Sequence, residues 1–159
     1  MSNLIQNPSF EEGLNFWSAH NVTISDNNPF EGTATARLGP GIASITQDIL
    51  LGIPRSSLLL SFAVEAPAAT DPGNLTVVVK WLDKYHREIG NGLSILVSSA
   101  AIGRQVLWLT EVNVTDLAPE NVFKARIIFS KSEGTAPNNF IDLDLVVLTK
   151  VATLVLGVN

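Results

Sequence analysis

Short apolar runs recur along the whole chain, and clusters of Gly, Pro, Asn and Asp separate them. Runs rich in Val, Ile, Leu and Thr are typical of β-strands, because branched side chains suit a half-buried pleated surface. Several runs alternate with period two, so that Leu58, Leu60, Phe62 and Val64 share one face. Residues 82–91 are charged and predict a hairpin tip. We predict strands at 3–6, 21–25, 33–38, 42–50, 57–65, 74–82, 92–98, 105–114, 122–130 and 139–149, with 151–156 as a further candidate.

About ten short strands at this spacing predict an all-β fold, because βαβ units would place helical periodicity between the strands. The expected architecture is an antiparallel β-sandwich of the jelly-roll type. No shift in composition and no internal repeat divides the sequence, so residues 1–159 are expected to form a single domain. A chain of this length buries about 70% of its unfolded surface, which is enough to fold without a disulfide.

Composition and charge exclude several classes of protein. Hydrophobic residues make up 46% of the sequence and charged residues 16%, a balance that a disordered chain does not have. The formal net charge of −5 argues against binding of nucleic acid. The absence of cysteine removes disulfides, thiolate metal sites and cysteine nucleophiles. The longest apolar stretch, 145–158, is interrupted by Lys150 and is too short for a membrane span, so none is predicted.

The sequence offers little for catalysis. It contains no G-x-S-x-G elbow, no phosphate-binding loop and no metal-hydrolase motif. Two carboxyl groups about 5–9 Å apart can hydrolyse a glycoside. The acidic pairs Glu11–Glu12 and Asp142–Asp144 have simpler interpretations, as a loop and as two positions on one face of a strand. We therefore predict that the chain is not an enzyme.

The most specific signal lies in the first eighteen residues. Residues 3–17 read N-L-I-Q-N-P-S-F-E-E-G-L-N-F-W. They resemble the opening of carbohydrate-binding modules attached to xylanases and other glycanases, which is N-L-(I/V)-x-N-x-x-F-E-x-G-(L/F)-x-x-W. Further segments resemble the same modules in the same order: 31–38, 44–49, 57–64, Trp108, 117–127 and 143–149.

This resemblance covers nearly the whole chain and implies the galactose-binding-like jelly roll, with two antiparallel sheets packed face to face. The same opening is also similar to amino-terminal domains that precede collagen-like repeats in surface proteins of spore-forming bacteria. No Gly-X-Y run accompanies it here. The resemblance therefore implies one fold and is compatible with two alternative functions.

The resemblance also implies a structural calcium ion. Its carboxylate ligands would be Glu11 and Asp144, and its carbonyl ligands would lie near Pro8 and Glu31. Calcium takes six to eight oxygen ligands, so carboxylates and carbonyls together suit it. Leu145 stands where the family has a second aspartate. The alternative is that both acids are solvated, or that Glu11 caps a turn.

A glycan would be held by polar or aromatic side chains. Five polar residues are expected opposite the apolar faces of their strands, where adjacent strands would form a concave groove: Arg37, Gln47, Glu65, Lys80 and Arg126. The alternative is an ordinary solvated face with scattered ion pairs. Trp17, Trp81 and Trp108 are predicted to be core residues, which leaves Tyr85 as the aromatic expected to be exposed.

Two functions of different classes remain open. The first is a non-catalytic carbohydrate-binding module that recognises a glycan, with calcium as a structural brace. The second is a structural or assembly domain of a bacterial cell- or spore-surface protein, with surface-layer partners or homo-oligomers. No secretory signal pattern follows Met1, as expected of a spore-surface protein assembled from the mother-cell cytoplasm.

Overall fold

The computed structural model describes residues 2–52, 55–103, 107–135 and 137–151. Two antiparallel five-stranded sheets make up the described fold: sheet A, in the order β1-β4-β9-β6-β7, and sheet B, in the order β2-β3-β10-β5-β8. The chain is therefore the antiparallel jelly-roll sandwich that the sequence predicts. The elements are β1 (Ser18–His20), β2 (Val22–Ser25), β3 (Thr35–Leu38), β4 (Ala43–Leu50), β5 (Leu58–Glu65), β6 (Leu75–Leu82), β7 (Glu88–Val97), α1 (Ser99–Ile102), β8 (Leu109–Val114), β9 (Lys124–Lys131) and β10 (Ile141–Lys150).

The core lies between the two sheets and follows the predicted alternation. The inward face of β5 is buried, and so are Ile127 and Phe129 on β9 of the opposite sheet. The rings of Phe62 and Phe129 meet edge to face across the sandwich, with centroids 5.2 Å apart. Each buried aromatic side chain of this kind contributes about 1.5–3 kcal/mol of hydrophobic stabilisation.

A β-bulge in β10 keeps its apolar residues in phase with the core. The register against β5 shifts between Asp144 and Val147, and Leu145 adopts the left-handed φ of 44°. Leu143 and Val146 are therefore both fully buried, although strict alternation would place them on opposite faces. Asp144 precedes the bulge and lies on the outward phase of the strand.

Some predicted element boundaries are wrong. Residues 3–6 are not a strand: the Asn3 side chain accepts hydrogen bonds from the amides of Ile5 and Leu148 in place of a regular ladder. The first strand, β1, has no apolar alternation and was not predicted. Strand β7 begins at Glu88, so the hairpin tip is confined to residues 83–87.

The short helix α1, capped by the Ser98 side chain, was also not predicted. Within the described ranges no helix is long and apolar enough to cross a membrane. Of the candidate strand at 151–156, Val151 lies outside β10 and the remainder lies outside the described residues.

Candidate functional site

The opening motif forms a loop that is held by its own side chains. The Asn7 side-chain amide donates hydrogen bonds to the carbonyls of Gly13 and Asn15, at 2.9 and 3.0 Å. The Trp17 indole donates to the Asn7 carbonyl at 3.0 Å, and its ring lies 5.3 Å from that of Phe10. Both rings are buried, which confirms the prediction that Trp17 belongs to the core. The loop from Asn7 to Trp17 is thus a preorganised unit.

This loop presents one aromatic side chain to solvent. Phe16 adopts φ = 73°, and its side chain is 56% exposed. A bulky residue in the left-handed region is strained, and such strain persists only where the surroundings impose it. The Trp17 amide donates a hydrogen bond to the Leu14 carbonyl at 3.0 Å, and this bond closes the turn that contains Phe16. The exposure of Phe16 was not predicted, because nothing in the motif distinguishes this residue from its core neighbour Trp17.

Phe16 stands at the rim of a depression on the outer face of sheet A, which we call the sheet-A groove. Across its floor, Asp48 pairs in register with Arg126, and Arg126 with Lys80. The next row aligns Thr46 with Ile128. The groove encloses about 440 Å³ and is lined by Phe16, Ser18, Ser44, Thr46, Gln47, Asp48, Arg126 and Ile128.

The charges on this face neutralise one another. Arg126 donates two hydrogen bonds to the carboxylate of Asp48, at 2.7 and 2.9 Å, and these bonds lower the pKa of Asp48. Lys80 donates to Glu88 at 3.0 Å. Such exposed pairs contribute little to stability, typically about 0–1 kcal/mol. They do hold donors and acceptors in place on a face of hydroxyl groups.

The five predicted groove residues do not lie on one face. Lys80 and Arg126 are on the outer face of sheet A, as expected. Gln47 is 5% exposed and faces inward, in phase with Ile45 and Ile49, so its predicted face is wrong. Its side-chain amide exchanges two hydrogen bonds with the backbone of Gln6, at 2.8 and 3.0 Å, and so secures the N-terminal segment at the groove's end.

Arg37 and Glu65 lie on the other sheet. Arg37 donates two hydrogen bonds to Asp142, at 2.9 and 3.0 Å, and its guanidinium lies 3.7 Å from the centre of the Phe140 ring. Glu65 is 1% exposed and accepts from the Asn28 amide. The two predicted residues therefore belong to a covered polar network. The sequence could not reveal this, because strand patterns do not say which sheet a strand joins.

An aromatic pair helps to cover that network. The Trp108 indole donates to the Asn28 carbonyl at 3.1 Å, and its ring meets that of Phe30 at 5.8 Å. Trp108 is half-buried and lies on the outside of sheet B, so its assignment to the core is wrong, whereas Trp81 is buried as predicted. Tyr85 is 65% exposed, as predicted, and lies on the turn between β6 and β7.

The candidate metal ligands come together at the loop before β3. Glu11 accepts hydrogen bonds from the amides of Thr33 and Ala34, at 2.8 and 3.1 Å. Asp144 accepts from the amides of Phe30 and Glu31, both at 3.0 Å. The structure thus brings residues near both ends of the chain onto one loop, as the resemblance implies.

The remaining two candidates lie beside these carboxylates. The Pro8 carbonyl accepts from the Val146 amide at 3.0 Å. The Glu31 carboxylate accepts from the Ser9 hydroxyl. Hydrogen bonds therefore link all four candidate residues to the loop 30–34 or to the β10 bulge. For Glu31 these bonds involve its amide and its carboxylate, and not the predicted carbonyl.

In the described part of the chain, no basic side chain pairs with the carboxylates at this loop. Asp144 is fully buried; burial raises its pKa to about 6, and the nearby charge of Glu31 adds to the effect, although three backbone hydrogen bonds oppose it. Among the described residues, no ion pair involves Glu11, Glu31 or Asp144. Uncompensated carboxylates with adjacent carbonyls are the hard oxygen donors that calcium prefers, so the residues fit the ion.

The same carboxylates also serve the alternative interpretation, because both already cap backbone amides. In the described part of the chain, no group of three or more acidic, histidine or cysteine side chains is arranged to hold a metal. A calcium site here would depend on two carboxylates supplemented by carbonyl oxygens.

No family model matches the sequence, and no curated protein is significantly similar to it. Solved structures do match. The enzymatically active domain of tailspike protein 4 from bacteriophage CBA120 superposes with a TM-score of 0.72 at 18% identity. The match covers 94% of this chain but only 21% of the tailspike chain.

Carbohydrate-binding modules form most of the remaining neighbours. A family 16 carbohydrate-binding module matches with a TM-score of 0.68 at 18% identity, over 93% of this chain and all of that one. The CBM22-1 xylan-binding domain of Paenibacillus barcinonensis Xyn10C matches with a TM-score of 0.63 at 15% identity, over 91% and 92%. These likenesses confirm the predicted resemblance in fold. The link to collagen-like surface proteins stays a prediction.

Proposed function

We propose that the chain is a non-catalytic carbohydrate-binding module that binds a glycan in the sheet-A groove. The observation that carries this proposal is the exposed ring of Phe16 at the groove's rim, which a preorganised loop presents to solvent. An exposed aromatic face can stack on the apolar face of a pyranose ring, and a preorganised ring loses little entropy on binding.

The floor of the groove complements the ring. Arg126 and Asp48 hold each other in a planar, two-bonded arrangement, so their remaining donor and acceptor positions are directed without a further ordering cost. The hydroxyls of Ser18 and Ser44 add groups that can both donate and accept. The Thr46 hydroxyl donates to the Ile127 carbonyl at 2.7 Å and can still accept. Because its ionic groups are paired, the groove suits a neutral, hydroxyl-rich glycan.

The acid content of the groove supports a role without catalysis. Among its described lining residues, Asp48 is the sole carboxylate. Its pKa is lowered by the hydrogen bonds from Arg126, so it stays ionised at neutral pH and has no proton to donate to a glycosidic oxygen. Glycoside hydrolysis normally requires a second carboxyl group across the scissile bond.

The structural calcium is part of the same proposal. Glu11 and Asp144, with carbonyls at Pro8 and Glu31, would hold the ion, and the ion would supply positive charge to the buried carboxylate of Asp144 and the exposed carboxylate of Glu11. Asp144 supports this assignment because its carboxylate is fully buried and, among the described residues, accepts from backbone amides and from no basic side chain. The ion would tie the N-terminal loop that presents Phe16 to β10, and so would stabilise the groove's rim.

The experiment is a titration of the ¹⁵N-labelled protein with soluble neutral polysaccharides: xylan, mixed-linkage glucan and galactan. We expect at least one to shift amides of Phe16, Thr46 and Arg126. Shifts confined to other surfaces would contradict the groove, and no shifts for any glycan at millimolar sugar would contradict the function.

The second candidate function, an assembly domain of a cell- or spore-surface protein, is favoured by a different surface. On the outer face of sheet B, Val112 and Val114 of edge strand β8 are 58% and 53% exposed, and Val114 pairs with Leu59. Exposed apolar patches on sheet faces are typical of protein contacts. A stable dimer or trimer in light scattering, lost on Val112→Lys, would favour this function.

A further inference from the structure

A second concave surface lies at one end of the sandwich, away from the sheet-A groove. It encloses about 520 Å³ between the turn at residues 83–87 and the segment 120–123 that leads into β9. We call it the hairpin-tip pocket. Its walls carry two exposed aromatic side chains, Tyr85 at 65% and Phe123 at 40%. Exposed rings facing a shared depression are unusual on a turn, where polar residues prevail.

The turn that carries Tyr85 is held rigidly. One carboxylate oxygen of Asp83 accepts from the amides of Tyr85 and Arg87, at 2.9 and 3.0 Å, and the other accepts from the Arg87 side chain at 2.8 Å. Desolvation opposes ionisation of Asp83, but the hydrogen bonds from Arg87 and Tyr85 outweigh it and lower its pKa. The opposite wall is also fixed, because the Phe123 amide donates to the Leu82 carbonyl at 2.8 Å.

The pocket's charges differ from those of the sheet-A groove. Lys84 lies 5.1 Å and the Arg87 guanidinium 5.2 Å from the centre of the Tyr85 ring. In the part of the chain that the structure describes, Lys84 forms no ion pair, and Arg87 engages Asp83 through one nitrogen alone. Asp83 is 6% exposed, so its own charge is largely withdrawn from solvent. The opposite wall carries one exposed carboxylate, Glu120, on the segment 120–123. On the turn itself, two cationic groups have donors available beside an aromatic wall.

We propose that the hairpin-tip pocket binds a uronic-acid residue of a glycan. The apolar face of the sugar ring would lie against Tyr85 and Phe123, and its carboxylate would meet Lys84 and Arg87. The Asn121 side chain supplies an amide for the sugar's hydroxyls. The inference rests on the proposed function only in that the ligand is a glycan; the pocket shares no lining residue with the sheet-A groove.

The test compares two trisaccharides that differ in their carboxylates, tri-galacturonate and galactotriose, against the ¹⁵N-labelled protein at low salt. We expect tri-galacturonate to shift amides at 84–87 and 120–123, with an affinity at least tenfold above that of galactotriose at the same amides. Raising the salt concentration from 0.05 to 0.5 M should weaken the binding of tri-galacturonate severalfold. Equal affinities, or shifts confined to the sheet-A groove, would overturn the proposal.

Variants separate this pocket from the groove. Tyr85→Ala and Lys84→Gln change exposed side chains, and each should weaken tri-galacturonate at least fivefold while leaving neutral-glycan binding unchanged. Phe16→Ala should do the reverse, so failure of one site is distinguishable from failure of the other. Sodium acetate is the remaining probe: if it shifts the same amides with the affinity of tri-galacturonate, the pocket recognises a simple anion and the proposal is overturned.

Discussion

The carboxylate of Glu11 occupies the space that a side chain at Gly32 would need. A Cβ atom added to Gly32 would lie 2.1 Å from Glu11 Oε1, and Gly32 has φ = 63°. The glycine therefore permits both the left-handed turn and the cap that Glu11 makes on Thr33 and Ala34. This contact joins the N-terminal loop to the segment that leads into β3.

Gly32→Ala should destabilise the protein through two effects. The left-handed backbone costs an L-residue about 1–2 kcal/mol, and the new methyl group displaces the Glu11 carboxylate from its amides. Gly13→Ala is the matched control, because Gly13 has φ = 67° and its added Cβ meets nothing within 4 Å. Urea denaturation should show a larger loss of unfolding free energy for Gly32→Ala. Equal losses would mean that the contact with Glu11 contributes nothing.

Asp144 should make the metal-free protein less stable as the pH rises from 5 to 7. Burial raises its folded-state pKa to about 6 from 3.8, so the folded state binds its proton more tightly than the unfolded state. The resulting stability is fully present below about pH 4 and is lost as the pH passes through 6. Because solvent screens part of this effect, we expect the free energy of unfolding to fall by about 1–2 kcal/mol.

The measurement for Asp144 is denaturant unfolding in EDTA at pH 5, 6 and 7. Glu65 and Asp142 also have raised pKa values through desolvation, so the wild type alone does not isolate one group. The difference between wild type and Asp144→Asn does. A pH dependence that is identical in the two proteins would show that Asp144 does not titrate in this range.

Calcium should raise the melting temperature if Glu11 and Asp144 hold it. At a hundred times Kd, binding to the folded state alone stabilises by about 2.7 kcal/mol, which for a chain of this size corresponds to roughly 5–10 °C. Asp144→Ala should remove the calcium-dependent part and leave a folded protein. Binding should weaken from pH 7 to pH 5, because the ion competes with the proton on Asp144. Equal wild-type midpoints in EDTA and in millimolar calcium would refute the site.

Substitution by alanine should reduce stability at Arg37 and glycan binding at Arg126. Arg37 pairs with Asp142, which is 1% exposed, so Arg37→Ala strands a buried carboxylate and should cost about 3 kcal/mol or more. Arg126 pairs with the exposed Asp48, and Arg126→Ala should change stability by less than about 1 kcal/mol. Glycan titrations should show the reverse, with loss of binding for Arg126→Ala alone. If both variants stayed folded and both lost glycan binding, the binding site would not be confined to the sheet-A groove.

The sequence predicted the sandwich because the period-two pattern survives in strands such as β5 and β9. It could not predict which strands share a sheet, and for that reason Arg37 and Arg126 were grouped on one expected groove. Two further features have local causes. The bulge at Leu145 leaves no signature in composition and was not predicted. Gln47 lies in the inward phase of β4 with Ile45 and Ile49, and its side-chain amide there pairs with the backbone of Gln6.

The candidate metal ligands were predicted from the resemblance and not from the residues alone. Glu11 and Asp144 are 133 positions apart, and nothing in their local sequence indicates that one loop accepts both. Phe16 was missed for a related reason: its exposure follows from a left-handed φ that the Asn7 hydrogen bonds impose on the loop. A positive φ at a bulky residue cannot be deduced from the identity of that residue.

The central claim is tested most directly by the affinity of Phe16→Ala for whichever neutral glycan the wild type binds. Phe30→Ala is the matched control, because Phe30 is 42% exposed on the loop that covers sheet B. Isothermal titration should show at least a tenfold loss for Phe16→Ala, about 1.4 kcal/mol, and no change for Phe30→Ala. An unchanged affinity for Phe16→Ala, with the fold intact, would contradict glycan binding in the sheet-A groove.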